Sequence, residues 1–154
     1  MLKSVQNILQ PMKQIVKRWD IIMIDVIFRG KDLTGVMNHS WFEGSLDLTF
    51  NPEFPVIICK DRYDNIIRVI VDKQTVGQYV GQRDKNKTKI FEGDILEFDF
   101  EDIGKQRAFV YYDVKYHSFL LKVITSDFQY VNIEEGVIIG NVHDNPELLK
   151  VYRV

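Results

Sequence analysis

Few residues in this sequence have the types and spacing that catalysis or metal binding requires. His39, His117 and His143 stand far apart and form no His-x-x-x-His or His-Glu-x-x-His pair, so only the tertiary structure could assemble a metal site from them. Cys59 is the single cysteine, which excludes an intramolecular disulfide and any centre built from several thiolates. It lies in an apolar stretch, where a small buried side chain is the usual role. We predict no catalytic residues, no metal site and no cofactor.

Acidic side chains are concentrated between residues 92 and 102, where carboxylates could bind a divalent cation or act as an acid–base pair. Glu97 and Asp99, however, alternate with Leu96, Phe98 and Phe100, which is the pattern of a strand with one face in water. We therefore predict that the whole stretch is a solvated strand face. Its members are Glu92, Asp94, Glu97, Asp99, Glu101 and Asp102.

A basic turn is the best candidate for contact with a phosphate backbone. Its cations are interleaved with Asp84 and Asn86, which is also the composition of an ordinary polar hairpin tip. The net charge of −2 gives the chain no general attraction for nucleic acid. A solvated turn is the first interpretation and phosphate binding the second. The cations are Arg83, Lys85, Lys87 and Lys89.

Apolar side chains recur at steps of three and four in the first nineteen residues, which predicts an amphipathic helical extension over residues 1–22. Pro11 predicts a kink or break within it. Three interpretations stay open, because such a stripe packs on its own body, on another subunit, or on a membrane surface. The interaction stripe, as we call it, consists of Leu2, Val5, Leu9, Met12, Val16 and Trp19.

After residue 21 the apolar pattern changes to period two, with many branched and aromatic residues, which predicts a mainly β (α+β) fold. Strands are expected over 21–28, 41–50, 56–59, 66–71, 75–80, 96–100, 107–114, 117–124 and 136–142. A turn is expected at 29–32 and a hairpin loop at 61–65, and Leu46, Leu48 and Phe50 share the inward face of the strand over 41–50. Gly140 predicts a bend or bulge, and Asn145-Pro146 predicts a single helical turn. Short strands at this spacing are typical of a small barrel or sandwich.

The length of 154 residues suits one domain, or a small domain with an extension. The longest apolar run, residues 21–28, is interrupted by Asp25 and is far shorter than a membrane span. The first residues lack the continuous apolar core of a signal peptide. We therefore expect a cytoplasmic protein that does not contact the membrane.

Six blocks, in order, resemble the signature of the YopX family of phage and prophage proteins. They are Phe-Arg-Gly-Lys at 28–31, Trp-Phe-Glu-Gly-Ser-Leu at 41–46, Thr-Val-Gly-Gln-Tyr-Val-Gly at 75–81, Asp-Lys-Asn at 84–86, Ile-Phe-Glu-Gly-Asp-Ile at 90–95 and Ile-Gly-Asn-Val-His-Asp-Asn-Pro-Glu-Leu-Leu at 139–149. The resemblance covers roughly residues 23–150. It implies a β-rich lobe over 23–80 and a small SH3-like barrel over 81–150, with 151–154 as a tail. It implies no known activity.

Two residues depart from this signature. Lys87 stands where the family usually has glycine after Asp-Lys-Asn, and Val80 replaces a threonine before Gly81. Since asparagine tolerates a left-handed conformation better than lysine, we expect Asn86 to take that conformation in the turn.

Two functional hypotheses follow from the sequence. The first is a non-catalytic phage accessory protein that binds other proteins, either a second copy or a host or phage protein, through strand edges and the interaction stripe. The second is a nucleic-acid-binding SH3-like module that uses the basic turn at 83–89. No small-molecule substrate is indicated.

Overall fold

A computed structural model describes residues 25–124 and 132–150. The described residues form ten strands in two antiparallel sheets, so the prediction of a mainly β protein is confirmed. The strands are β1 (Phe28–Lys31), β2 (Trp41–Asp47), β3 (Val56–Lys60), β4 (Ile66–Ile70), β5 (Gly77–Arg83), β6 (Lys89–Phe91), β7 (Asp94–Phe100), β8 (Gly104–Asp113), β9 (Ser118–Val123) and β10 (Val137–Asn141). Short 3-10 helices occupy Lys73–Thr75, Ile133–Glu135 and Pro146–Leu149.

The first sheet has the order β4-β3-β2-β1-β5-β6. It is strongly curved, because Val71 just after β4 forms an antiparallel bridge with Asp32 just after β1. The amide of Asp72 donates to the Lys31 carbonyl at 2.8 Å beside this bridge. The concave side holds a small apolar core centred on Ile57, Val69 and Val71.

The second sheet has the order β10-β7-β8-β9 and carries the larger core. Its pairing shifts by one residue between Ile138 and Gly140, which confirms the bulge predicted at this glycine. In the part of the chain that the structure describes, β9 and β10 are the outer strands and no closed barrel is formed. The buried members of this core are Ile90, Leu96, Phe98, Ala108 and Val110.

Several local predictions are confirmed. The β3–β4 hairpin turns at residues 61–65, and Pro146–Leu149 forms the expected short helix. In β7, Leu96 and Phe98 are buried whereas Asp99 is exposed, as the alternation predicted.

Two strand predictions are wrong in their bounds. Of the predicted strand over 21–28, the described part becomes β-structure only at Phe28, and the Arg29–Lys31 segment predicted as a turn is β1 itself. β2 ends at Asp47 instead of residue 50, because the Asp47 carboxylate accepts bonds from the amide and hydroxyl of Thr49 and forms a turn. Phe50, predicted to face inward, is consequently 97% exposed.

The amphipathic extension over 1–22, with the interaction stripe Leu2, Val5, Leu9, Met12, Val16 and Trp19, lies outside the described residues. So does the tail at 151–154. The division of the chain at residues 80 and 81 stays a prediction; β5 runs across that point as one strand of the first sheet.

Candidate functional site

Arg29 in β1 connects the two sheets. Its Nη2 lies 2.6 Å from an oxygen of Asp94, the first residue of β7, and 3.2 Å from the Glu92 carbonyl oxygen to which it donates. The guanidinium carbon lies 4.8 Å from the ring centroid of Trp41 and 5.0 Å from that of Phe91. Both charges are almost removed from water, since the side chains are 13% and 1% exposed. An Arg held this way resists substitution, because a buried charge left alone is costly.

Asp94 is the main error in the interpretation of the acidic stretch. It was predicted on a solvated face, but it is buried, and its second oxygen accepts the Phe91 amide at 2.8 Å. Burial raises the pKa of this carboxyl, while the Arg29 charge opposes that rise. The period-two pattern places Asp94 correctly at the start of a strand but contains no information about Arg29, which comes from the other sheet.

Asp144 forms a second connection between distant parts of the chain. Its carboxylate accepts bonds from Lys31 Nζ at 2.5 Å, Trp41 Nε1 at 2.6 Å and Asn141 Nδ2 at 3.1 Å. The hydrogen bond from Lys31 is the largest cause that lowers the pKa of Asp144 to about 2. The C-terminal loop is thereby fastened to β1 and β2.

The loop that presents Asp144 is shaped by two asparagines. Asn141 Oδ1 accepts the amides of His143 and Asp144, and Asn145 Oδ1 accepts the Asn141 amide at 3.2 Å. The position of Asn145 also explains why residue 140 is glycine, since a Cβ at residue 140 would stand 2.4 Å from the Asn145 side-chain oxygen. The block at 139–149 is therefore a compact carboxylate-presenting turn.

We name Arg29, Lys31, Trp41, Asp94, His143 and Asp144 the inter-sheet cluster. The His143 ring lies 6.0 Å from the Trp41 ring, and partial burial, together with the Arg29 charge, lowers the pKa of His143. At neutral pH the cluster thus contains an ionised Asp144 and a neutral imidazole. Its hydrogen bonds and ion pairs join the first sheet to β7 and to the C-terminal loop. Within residues 25–124 and 132–150, no three His, Cys, Asp or Glu side chains are grouped to hold a metal ion.

The basic turn at 83–89 forms at the tip of β5 and β6, as predicted, but two of its cations are engaged. Arg83 Nη1 donates to the Lys87 carbonyl at 2.8 Å, and Lys89 Nζ lies 2.8 Å from Glu43. The Lys85 and Lys87 side chains are exposed. Lys87, not Asn86, takes the left-handed conformation, with φ of 68°, so the expectation for Asn86 is wrong.

Asp84 organises this turn from inside. It is 2% exposed, and Oδ1 accepts the amides of Asn86 and Thr88. Its other oxygen accepts the Ile138 amide at 3.1 Å, and the Lys85 amide donates to the Gly136 carbonyl. The turn is therefore docked onto the segment leading into β10.

Cys59 in β3 is half-buried, and burial is the largest cause that raises the pKa of its thiol. A thiol with a raised pKa is a poor nucleophile, because the thiolate is the reactive form. The negative charge of Asp61 raises the pKa of the thiol further.

The most exposed apolar strand is β4, at one edge of the first sheet. Ile66 is 74% exposed and Ile70 is 41% exposed, with Arg68 between them on the same face. Half-buried Val56 and Ile58 of β3 continue this face. Sequence reasoning identified strand edges in general as binding surfaces but did not single out this one.

Some backbone amides and carbonyls of β4 do not bond to β3. The hairpin bonds from Asp61 N to Asn65 O and from Val71 N to Pro55 O fix which residues pair with β3. Because bonded and non-bonded pairs alternate in an antiparallel ladder, the amides of Ile66 and Arg68 point away from β3. Farther along, the Leu33 amide donates to the Ile70 carbonyl at 3.0 Å and covers that end. We name the uncovered segment, residues 66–68, the β4 edge.

Comparison with known proteins identifies the family but no activity. The chain is similar to protein EF1440 from Enterococcus faecalis, a crystal structure with a TM-score of 0.51 and 21% sequence identity; the match covers 82% of this chain and 99% of that one. At that identity the likeness concerns the fold alone. None of the curated proteins matches the chain. In the described segments no helix has the length and apolar character needed to cross a membrane. The family model described as YopX protein matches residues 28–150, and the chain belongs to the YopX family.

Proposed function

We propose that this protein is a non-catalytic interaction module that self-associates through the β4 edge. The observation that supports this most directly is an edge strand with outward-facing amides beside an isoleucine that is 74% exposed. Natural proteins usually protect such edges with charges, proline or a covering element, because an open edge is a template for strand pairing. An apolar edge strand without such protection is consistent with a β4 edge that pairs with a second copy when the protein functions.

The occupied Ile70 carbonyl restricts how two copies would pair. A twofold axis at Ile67 places Ile66 of one copy opposite Arg68 of the partner subunit. These are the two residues whose amides and carbonyls point outward, so the pairing forms a short antiparallel ladder without disturbing Leu33. It also lays the aliphatic stem of Arg68 against Ile66, which removes apolar surface from water.

Replacement of Arg68 by proline tests the proposal at the backbone. Proline removes the outward amide but keeps the ladder with β3, because edge strands tolerate proline on their free side. Arg68→Ala is the matched control, since it removes the same side chain and retains the amide. We expect wild type and Arg68→Ala to dimerise between micromolar and millimolar concentration in sedimentation equilibrium, and Arg68→Pro to stay monomeric with the same circular dichroism. A monomeric wild type, or dimerisation of Arg68→Pro equal to that of Arg68→Ala, contradicts the proposal.

The second candidate function is nucleic-acid binding by the basic turn. The exposure of Lys85 and Lys87 favours it, whereas the engagement of Arg83 and Lys89 reduces the charge available. Titration of labelled single- and double-stranded DNA and RNA at low and high salt tests it, because phosphate contacts make affinity fall with salt. Binding that Lys85→Ala and Lys87→Ala weaken would support this candidate over the first.

We further infer that the protein serves a phage or prophage in the cytoplasm of a bacterial host, as YopX membership implies. We also infer that residues 81–150 correspond to the SH3-like part of the family fold. The bonds from the 84–88 turn to Gly136 and Ile138 support this, because they bring the β5–β6 hairpin against β10, an outer strand of the second sheet.

A further inference from the structure

A groove of about 640 Å³, lined by polar as well as apolar side chains, lies between the two sheets. The first sheet contributes Phe28 of β1 and Val76 beside β5, and the second contributes Tyr112 and Phe119. The two second-sheet rings meet edge to face, with centroids 5.3 Å apart. Val114 at the rim is 73% exposed. Apolar side chains clustered at a protein surface mark binding sites, so we expect another segment to cover these residues.

The groove begins where the chain enters the described structure. Phe28 pairs with Gln78, which also lines the groove, and the Ile27 carbonyl accepts the Tyr79 amide at 2.8 Å, so the chain reaches the groove wall at Phe28. Trp19 precedes Phe28 by nine residues, a stretch that spans at most about 30 Å when extended. The end of the interaction stripe is therefore within reach of the groove in the same chain.

The charges of the two parts are complementary. Residues 1–20 contain four cations, Lys3, Lys13, Lys17 and Arg18, and one anion, Asp20. Subtraction from the totals of 20 and 22 leaves 16 basic and 21 acidic residues, a net charge of −5, for residues 21–154. Glu92 lines the groove itself. A basic segment with an apolar stripe thus fits a groove that offers both aromatic rings and the Glu92 carboxylate, in an acidic body.

We propose that the groove binds the C-terminal half of the interaction stripe, Met12, Val16 and Trp19, of the same chain. The apolar side chains enter between Phe28 and Phe119, and the neighbouring Lys13, Lys17 and Arg18 face the acidic surroundings. This contact is separate from the β4 edge, because residues 66–68 do not line the groove.

The test uses the full chain and its own trypsin sites. Val114→Asp places a charge at the groove rim, and Val36→Asp, at a residue 80% exposed in the loop after β1, is the matched control. We expect cleavage after Lys13, Lys17 and Arg18 to become about tenfold faster in Val114→Asp and to be unchanged in Val36→Asp, because local opening exposes the segment. The tryptophan emission of Val114→Asp should shift to the red as Trp19 enters water.

Two results overturn the proposal. Equal cleavage rates in wild type, Val114→Asp and Val36→Asp would show that the groove does not hold the segment. Protection that disappears on dilution would mean that the segment comes from a second copy. Measuring cleavage of Arg68→Pro separates the two proposals, because loss of the β4 contact leaves protection within one chain intact.

Discussion

Arg29 Nη2 and Asp94 Oδ1 are 2.6 Å apart, although their residues belong to different sheets. We expect Arg29→Ala to destabilise the protein by about 3–5 kcal/mol, because it leaves the Asp94 carboxylate buried and unpaired. The measurement is urea unfolding followed by circular dichroism. Lys73→Ala is the control, since the Lys73–Glu53 pair has a similar distance of 2.7 Å but is exposed. Its effect should be below about 1 kcal/mol; equal losses in the two variants would contradict the role assigned to Arg29.

Asp144 should make stability depend on pH in the acid range. Its folded-state pKa of about 2 lies below the ordinary 3.8, so the unfolded chain binds the proton more tightly. The stabilisation is complete above pH 3.8 and is lost as the pH falls toward 2. As the pH falls through this range, we expect the difference in unfolding free energy between wild type and Asp144→Asn to decrease by about 1 kcal/mol. The effect is smaller than the pKa shift alone would give, because the carboxylate is partly in water. Urea unfolding at a series of pH values checks it, and a constant difference would argue against the assignment.

Lys87→Gly should stabilise the protein. Lys87 has φ of 68°, where a side chain is strained and glycine is not. Release of that strain, partly offset by the greater freedom of glycine in the unfolded chain, predicts a gain of about 0.5–1 kcal/mol. Lys85→Gly removes the same charge at a residue without positive φ and should be destabilising. Thermal unfolding of both variants checks the sign, and a loss in Lys87→Gly would contradict the argument.

Gly44→Ala should be strongly destabilising. A Cβ at this position in β2 would stand 2.1 Å from the Ile58 carbonyl oxygen, so the paired backbone of β3 must move. We expect a loss of about 3 kcal/mol, at the upper end of the usual cost of overpacking. Ser45→Ala, at the exposed next residue, should change stability by less than about 0.5 kcal/mol. A native-like unfolding midpoint for Gly44→Ala would show that the strands separate easily there.

Local alternation predicted the parts of the fold that depend on neighbouring residues. Leu96 and Phe98 face inward because a strand has period two and one face of β7 is covered. The bulge at Gly140 and the turn at Pro146 were predicted for the same reason, since backbone preferences act within a few residues. The six sequence blocks identified the family over roughly residues 23–150, close to the residues 28–150 that the family model matches.

Long-range partners explain most of what the sequence could not predict. Asp84 and Asp94 look like solvated acids, but besides nearby amides each has a partner distant in sequence, Ile138 and Arg29 respectively, that helps to make its burial favourable. Asn86 was preferred to Lys87 for the left-handed position on intrinsic tendency, but the bonds that Asp84 makes to the surrounding amides fix the turn. The β4 edge could not be identified before the strand order was known.

The attachment of Asp144 to Lys31 and Trp41 spans 113 and 103 positions of the chain. During synthesis the strands of the first sheet, which end at Phe91, are complete long before this carboxylate leaves the ribosome. The nascent chain therefore presents β1 and β2 with Lys31 and Trp41 unattached until translation is nearly over. A product that stops short of residue 144 should be recognised by proteases as an unfinished molecule.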